Sequence, residues 1–315
     1  MRPTLKNAVV LTGGVGGAKF VLGLERCGLA DSVTAIVNTG DDFRHMGLHV
    51  SPDIDTLLYT LSGKANAAQG WGREGETWKF LAAVQELGGP DWFRLGDADL
   101  ALHLLRSDRL ARGDALSAII ADFARGWGIA TRILPMSDDP VRTFVDTDEG
   151  ELEFQHYFVG RQCAPRVSGI RFAGAETARA APGVVEAILS ADAVFVAPSN
   201  PYLSVDPLLA VAQIAAALEE TRAPLVAISP IVGGTAVKGP TAKIMAELDI
   251  APDNDAIADH YAGFVDALLI DASDAAPAAM PARATHTLMK TLDDKIRVAV
   301  EAVALAHSLK SGVAI

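Results

Sequence analysis

Four carboxylates stand downstream of a glycine-rich loop: Asp41-Asp42 and Ser51-Pro52-Asp53-Ile54-Asp55-Thr56 follow Gly13-Gly14-Val15-Gly16-Gly17-Ala18-Lys19. Consecutive glycines let backbone N–H groups approach an anion, and a helix N-terminus behind them adds favourable partial charge. Carboxylates repel phosphates directly, but they bind hard divalent ions. Mg²⁺ is usually held by one or two carboxylates together with phosphate oxygens. This combination predicts phosphoryl chemistry. The loop is not a P-loop, because Lys19 follows Ala18 and Phe20 stands where Ser or Thr would bind the metal. It is not the dinucleotide fingerprint either, since Lys19 takes the place of the third glycine. Without a ligand, the same residues would make a tight strand-to-helix turn.

The acidic residues also have a plain structural use. Ser51 or Asp53 can cap a helix with Pro52 at its first position, and one of Asp41-Asp42 can form a turn. Asp55 is harder to explain that way, because it falls in a first helical turn before the apolar Leu57-Leu58-Tyr59. Further on, Trp92-Phe93-Arg94-Leu95-Gly96-Asp97 reads as a loop with Asp97 capping the next helix. Arg94 is either an exposed cation or an anchor for phosphate or a planar ring. Trp71, Trp78 and Trp92 share this stretch, and either form its small core or wall a flat ligand. Ala197-Pro198-Ser199-Asn200-Pro201 and Ser229-Pro230-Ile231-Val232-Gly233-Gly234, leading to Lys238, supply small polar groups suited to nucleotide contacts. The seven histidines form no HExxH-type set, and no GxSxG elbow occurs.

These residues need elements to hold them. Ala8–Thr12 and Val33–Asn38 read as strands around a helix that starts in the glycine loop. Apolar runs at 193–197, 224–228 and 267–270 read as strands buried on both faces of a parallel sheet. The expected fold is α/β, a Rossmann-like, doubly wound, mostly parallel sheet, with sites beyond the C-terminal strand ends. Residues 61–128 show helical periodicity at 78–87, 97–110 and 115–127 and read as a small helical insertion between core segments 1–60 and 129–315. A hairpin is expected from 141–147 and 151–159, a surface loop over 272–284, and a final helix over 292–309.

Half of the 315 residues are hydrophobic and 21% are charged, so a substantial core is expected. The formal charge of −12 argues against nucleic acid as the main partner, since such binding leans on Lys and Arg. Cys27 and Cys163 have no CxxC or zinc spacing and read as reduced thiols. The start MRPTLKN is too short and polar for a signal peptide, and no apolar run reaches the roughly 20 residues of a membrane span. A cytoplasmic protein with no membrane partner is expected, and a homodimer is the commonest symmetric arrangement.

Taken together, the glycine loop, Gly40-Asp41-Asp42-x4-Gly47-Leu48-x2-Ser51-Pro52-Asp53-x-Asp55-Thr56, Leu95-Gly96-Asp97, Pro135-Met136-Ser137-Asp138-Asp139 and the loops at 197–201 and 229–234 resemble the 2-phospho-L-lactate transferase family. This is the CofD/FbiA group of coenzyme F-420 biosynthesis, and the resemblance runs from about Val9 to Asp271. It implies transfer of a phospholactyl-type unit (lactyl, enolpyruvyl or phosphoglyceryl) from a guanosine diphosphate adduct to Fo, a 7,8-didemethyl-8-hydroxy-5-deazariboflavin. GMP leaves, and Mg²⁺ is required. By motif, Asp55 and Arg94 match positions that bind the deazaflavin. Asp42 and Asp55 become the catalytic candidates, and Asp42, Asp53 and Asp55 the metal candidates. Gly13, Gly14, Gly16, Gly17, Lys19, Ser199, Asn200 and Lys238 would face the nucleotide. Ala98 departs from the family pattern, where Arg is expected in many relatives. Two other readings compete. A YvcK-like nucleotide-sugar-binding regulator shares the loop and sheet but lacks Ser-Pro-Asp-x-Asp-Thr. An NAD-dependent oxidoreductase is disfavoured by Lys19 and by the lack of a catalytic Tyr-Lys or His pair.

Overall fold

The computed structural model describes residues 4–237 and 239–313. The first strand, β1 (Leu5–Thr12), runs into α1 (Gly14–Arg26), β2 (Ala30–Val37), a short hairpin of β3 (Phe43–His45) and β4 (Leu48–Val50), and α2 (Pro52–Leu61). Three helices follow: α3 (Lys79–Glu86), α4 (Asp97–Ala111) and α5 (Leu116–Gly126). Then come β5 (Arg132–Pro135), β6 (Arg142–Thr147), β7 (Gly150–Glu153), a π-helical turn at His156–Gly160, and β8 (Val167–Ala173). The remainder is α6 (Val184–Leu189), β9 (Ala193–Val196), a second π-helical turn at Pro201–Val205, α7 (Asp206–Leu209), α8 (Ala212–Glu220), β10 (Leu225–Ile228), α9 (Thr241–Glu247), α10 (Asn254–His260), β11 (Ala267–Asp271), β12 (Ala282–Thr285) and α11 (Leu292–Ser311).

Seven strands form one sheet in the order β12-β11-β10-β9-β1-β2-β5, and every pairing is parallel. The fold is therefore α/β, doubly wound and Rossmann-like. Alternation along β1 splits the core between the sheet's faces. Val9 and Leu11 pack with Val194, Val196, Ile188 and Ile214 on one side, while Ala8 and Val10 pack with Phe20, Phe195, Val298 and Val303 on the other. Strands enclosed on both faces must be apolar throughout, which is why β9, β10 and β11 read as unbroken hydrophobic runs.

The structure differs from the sequence expectations at short or edge elements. The strand expected through 151–159 stops at Glu153, and the chain turns into a π-helical turn that buries Tyr157. β6 pairs antiparallel with both β7 and β8, giving a separate three-stranded sheet. The 272–284 stretch runs into edge strand β12 at its end, and β5 closes the opposite edge. Residues 61–128 are mainly helical, with one isolated bridge between Ala65 and Arg73. Leu102, Leu116 and Ile120 from this segment join the core of the main sheet, so the helices are packed into the body of the fold. Among the described residues no single helix is long and apolar enough to cross a membrane.

Candidate functional site

The order of the large sheet reverses between β1 and β9: β2 and β5 extend one way from β1, while β10 to β12 extend the other. Ligands of such sheets bind beyond the strand ends at the reversal. Here the loops after β1 and β9 meet. The Ser199 hydroxyl donates to the Gly13 carbonyl at 2.8 Å and accepts from the Gly13 N–H at 3.2 Å. A Cβ on Gly16 would lie 2.7 Å from the Pro198 carbonyl oxygen, so only glycine permits this approach. The two loops open into a cavity of about 760 Å³.

Gly13, Gly14, Gly16 and Lys19 line the cavity, as do Ser199 and Asn200. Gly17 does not; a Cβ there would strike Thr12 Oγ1, so this glycine serves helix-to-strand packing. Lys19 reaches across to donate to the Met289 carbonyl at 2.9 Å. Asn200 Oδ1 accepts the N–H groups of Tyr202 and Leu203 at 3.0 and 3.1 Å, while its Nδ2 is buried without a protein partner. Lys238 lies outside the described residues, although Val237 and Gly239 on either side of it line the cavity.

Facing the glycine loop is an acidic pair. Asp53, in the first turn of α2, accepts the Gly14 N–H at 2.8 Å and the Asn38 amide at 3.0 Å. Asn38, just past β2, also donates to the Leu203 carbonyl at 3.2 Å, which ties the acidic residue to both sheet halves. Asp41 is buried with one carboxylate oxygen lacking any hydrogen-bond partner. Burial, and then the negative charge of Asp53, hold the Asp41 carboxyl well above the ordinary carboxylate range. Burial likewise pushes Asp53 up to about 6, against the opposing hydrogen bonds from Asn38 and Gly14. Both carboxyls line the cavity.

Asp42 is placed differently. Its carboxylate accepts from the Ser51 hydroxyl at 2.7 Å and meets His49 Nε2 at 2.9 Å, and the residue lies outside the cavity lining. It pins the β3–β4 hairpin to the start of α2. Asp55 does line the cavity, but both of its oxygens are taken by the guanidinium of Arg106, with one contact at 3.1 Å. The three aspartates expected to share an ion thus have three separate sets of protein partners. Among the described residues no group of three His, Cys, Asp or Glu side chains stands ready to hold a metal. The orphaned Asp41 oxygen, with Asp53 beside it, is nevertheless the donor set a hard divalent ion needs when phosphates complete its shell.

The far end of the cavity is aromatic. Trp71, Trp92 and Phe93 line it, and Trp92 stacks on His156 with ring centroids 4.2 Å apart. Arg94 also lines it, its guanidinium 4.4 Å from the Trp78 ring. Trp71 and Trp92 are therefore wall residues, while Trp78 braces the cation. Asp97 does not cap α4; it accepts the Phe80 N–H at 3.0 Å and the Thr77 hydroxyl at the start of α3. Glu76 caps α4 instead, accepting the N–H groups of Ala98 and Asp99 at 2.8 Å each. The two acids exchange helices, and the exchange fixes the loop that carries Arg94.

Sequence reading missed Tyr59, Asp99, His103 and Arg106. Tyr59 lies one turn after Asp55 on α2, and Asp99, His103 and Arg106 share one face of α4. The signal was present in the i, i+4 and i, i+3 spacings. A smaller hollow of about 410 Å³ beside α5 and β5, bordered by Ala118, Arg125 and Ile129, has no acid among its lining residues.

Fold and site together define a doubly wound α/β protein with an acid-lined ligand cleft at its strand-order reversal. The chain belongs to the 2-phospho-L-lactate transferase CofD family, whose model matches residues 8–307. It is similar to the phosphoenolpyruvate transferase of Kitasatospora aureofaciens, 42% identical over 96% of this chain and 99% of that protein. A protein of the same name from Streptomyces avermitilis is 41% identical, over 96% and 99%. Two solved structures of a Bacillus halodurans protein, described as a UPF0052 family member, share the fold with TM-scores of 0.63 and 0.65. They are 17% and 18% identical and cover 95% of this chain and 99% of theirs.

Proposed function

We propose that this transferase moves an enolpyruvyl-type phosphate unit from a guanosine diphosphate adduct to the ribityl hydroxyl of Fo, yielding the dehydro form of F-420 without its glutamate tail, plus GMP. The observation that carries the reading is one cavity with two chemically different ends. Asp41 and Asp53 face a glycine loop at one end, and Trp71, Trp92 and Arg94 form the other. Family membership supports the transferase class, and the names of the 42% and 41% identical relatives favour enolpyruvate over lactate or phosphoglycerate as the donor's acid.

In this reading the N–H groups of Val15 and Gly16, in the first turn of α1, meet the donor diphosphate; a helix cannot satisfy such groups internally. Lys19, Ser199 and Asn200 contact the nucleotide from the adjoining walls. Mg²⁺, when bound, neutralises the diphosphate and stabilises charge on the departing GMP. Asp41 and Asp53 are the residues to hold it. Asp41 thus takes the place first given to Asp42, because Asp41 lines the cavity while Asp42 lies outside it with its Oδ2 engaged by His49 and Ser51. The deazaflavin ring lies between the tryptophans with Arg94 against its polar edge. Asp55, held in place by Arg106, accepts a hydrogen bond from the acceptor's ribityl chain. The hydroxyl oxygen attacks the phosphorus bearing the three-carbon acid, the bond to the GMP oxygen breaks, the bonding pair leaves with GMP, and the hydroxyl proton passes to the departing phosphate or to water. Catalysis rests mainly on alignment and charge neutralisation. The working form is proposed to be a cytoplasmic homodimer, which sizing chromatography and cell fractionation would check.

The test is a panel of lactyl, enolpyruvyl and phosphoglyceryl guanosine diphosphates, each with and without Fo and Mg²⁺. GMP release that requires all three components, fastest with the enolpyruvyl donor, is expected, with the matching product mass. Absence of GMP release from every donor would sink the reading.

A further inference from the structure

Behind Asp55 lies a charged cluster that the proposed reaction does not use directly. Asp55 and Tyr59 stand one turn apart on α2, and Asp99, His103 and Arg106 face them from α4. Arg106 is completely enclosed, and its two terminal nitrogens take the two oxygens of Asp55. One of those nitrogens also lies 3.4 Å from the His49 carbonyl, which it meets as a donor. His103 Nδ1 is 3.5 Å from both Asp55 Oδ2 and Arg106 Nη1, and its Nε2 is 3.2 Å from Asp99 Oδ1. The Tyr59 hydroxyl donates to that same Asp99 oxygen.

The arrangement has a direction. Asp55, Tyr59, Asp99 and His103 reach the cavity wall, and Arg106 does not. A fully buried guanidinium is costly unless its charge is matched, and here the matching carboxylate is the one at the cavity surface. The two-point contact fixes the plane of the Asp55 carboxylate, which a single-point cation would not do.

We propose that Arg106 is a positioning residue for acceptor binding: it acts through Asp55, holding that carboxylate in one orientation toward the cavity, with His103 and Asp99 packed beside it. The inference rests on the proposed function, since it names the acceptor as the ligand whose affinity responds.

A double-mutant cycle on the full-length protein tests it, reading KM separately for Fo and for the guanosine diphosphate donor and normalising rates to folded protein. Arg106→Lys keeps a buried positive charge but loses the two-point contact. It is expected to raise the KM for Fo by about 10-fold or more while leaving the donor KM unchanged. In an Asp55→Asn background the same change should add nothing further. If Arg106→Lys proves unstable, Asp55→Asn/Arg106→Met, which leaves no unmatched charge in the core, takes its place; it should match Asp55→Asn alone in Fo saturation. An unchanged KM for Fo in folded Arg106→Lys, full additivity in Asp55→Asn/Arg106→Lys, or a KM for Fo in Asp55→Asn/Arg106→Met well above that of Asp55→Asn alone, overturns the inference. Wild-type protein that never saturates with Fo overturns the functional reading and this inference together, and the wild-type arm shows which has failed.

Discussion

Asp41 and Asp53 are two buried acids on the cavity wall; burial makes both harder to ionise, and the charge of Asp53 adds to the cost at Asp41. Their cost to the empty protein sets an expectation for Asp41→Asn. Transfer should fall by about 100-fold or more, as when a preorganised charge-stabilising group is removed. Stability at neutral pH should rise by about 1 kcal/mol, because function has been retained there against stability. A lower melting temperature in folded Asp41→Asn would show that this carboxylate is structural. The pH dependence has a definite sign. A carboxyl raised to about 6 when folded binds protons that the unfolded chain releases down to its ordinary 3.8. The Asp53 contribution therefore penalises the fold above pH 6 and is relieved as pH drops through that value. Asp271 moves the other way: burial raises its carboxyl, but hydrogen bonds from Ser273 and Thr287 outweigh this and hold it below the ordinary range. The stability it lends is present above its unfolded pKa and is lost as pH falls through its lower, folded one. Metal-free protein should melt at a higher temperature near pH 5.5 than at pH 8, as calorimetry would show, before weakening in stronger acid.

At the level of elements, the exchanged caps matter most. Glu76 satisfies the start of α4 and Asp97 the start of α3, and Arg94 lies on the loop between those helices. Glu76→Ala should cost about 1 kcal/mol, the usual value of a lost cap, and should weaken Fo binding without changing donor KM. Unaltered Fo saturation would detach the cap from the site. Element identity was legible where periodicity was long: α4, α5 and α11 came out within a few residues of expectation. Asp97 was misread because sequence spacing shows that an acid begins a helix, but not that it bends back to serve the previous one. The short strands β3, β4, β5 and β12 carry three or four residues each, too few for a repeat to be visible. The different placing of Asp41 and Asp42 has a related reason: of the two adjacent aspartates only Asp41 lines the cavity, and sequence alone does not say which of a neighbouring pair faces the cleft.

Across the whole molecule, the parallel sheet and its glycine loop were legible because buried parallel strands leave long apolar runs and tight turns demand glycine. The Asp55–Arg106 pair was not, because a buried arginine in a helix resembles a surface one until its packing is known. The central pairing of β1 with β9 joins Ala8 to Ala193. A chain ending at residue 190 should therefore lack a cooperative thermal melt, and a sharp transition in that fragment would contradict the account. During synthesis the same geometry leaves β1 unpaired on one side until the ribosome has passed β9, roughly 10–40 s at 5–20 residues per second. For that interval the nascent N-terminal half presents a sticky apolar ribbon, so its yield in a cell depends on translation speed and chaperone supply as much as on the finished protein's stability.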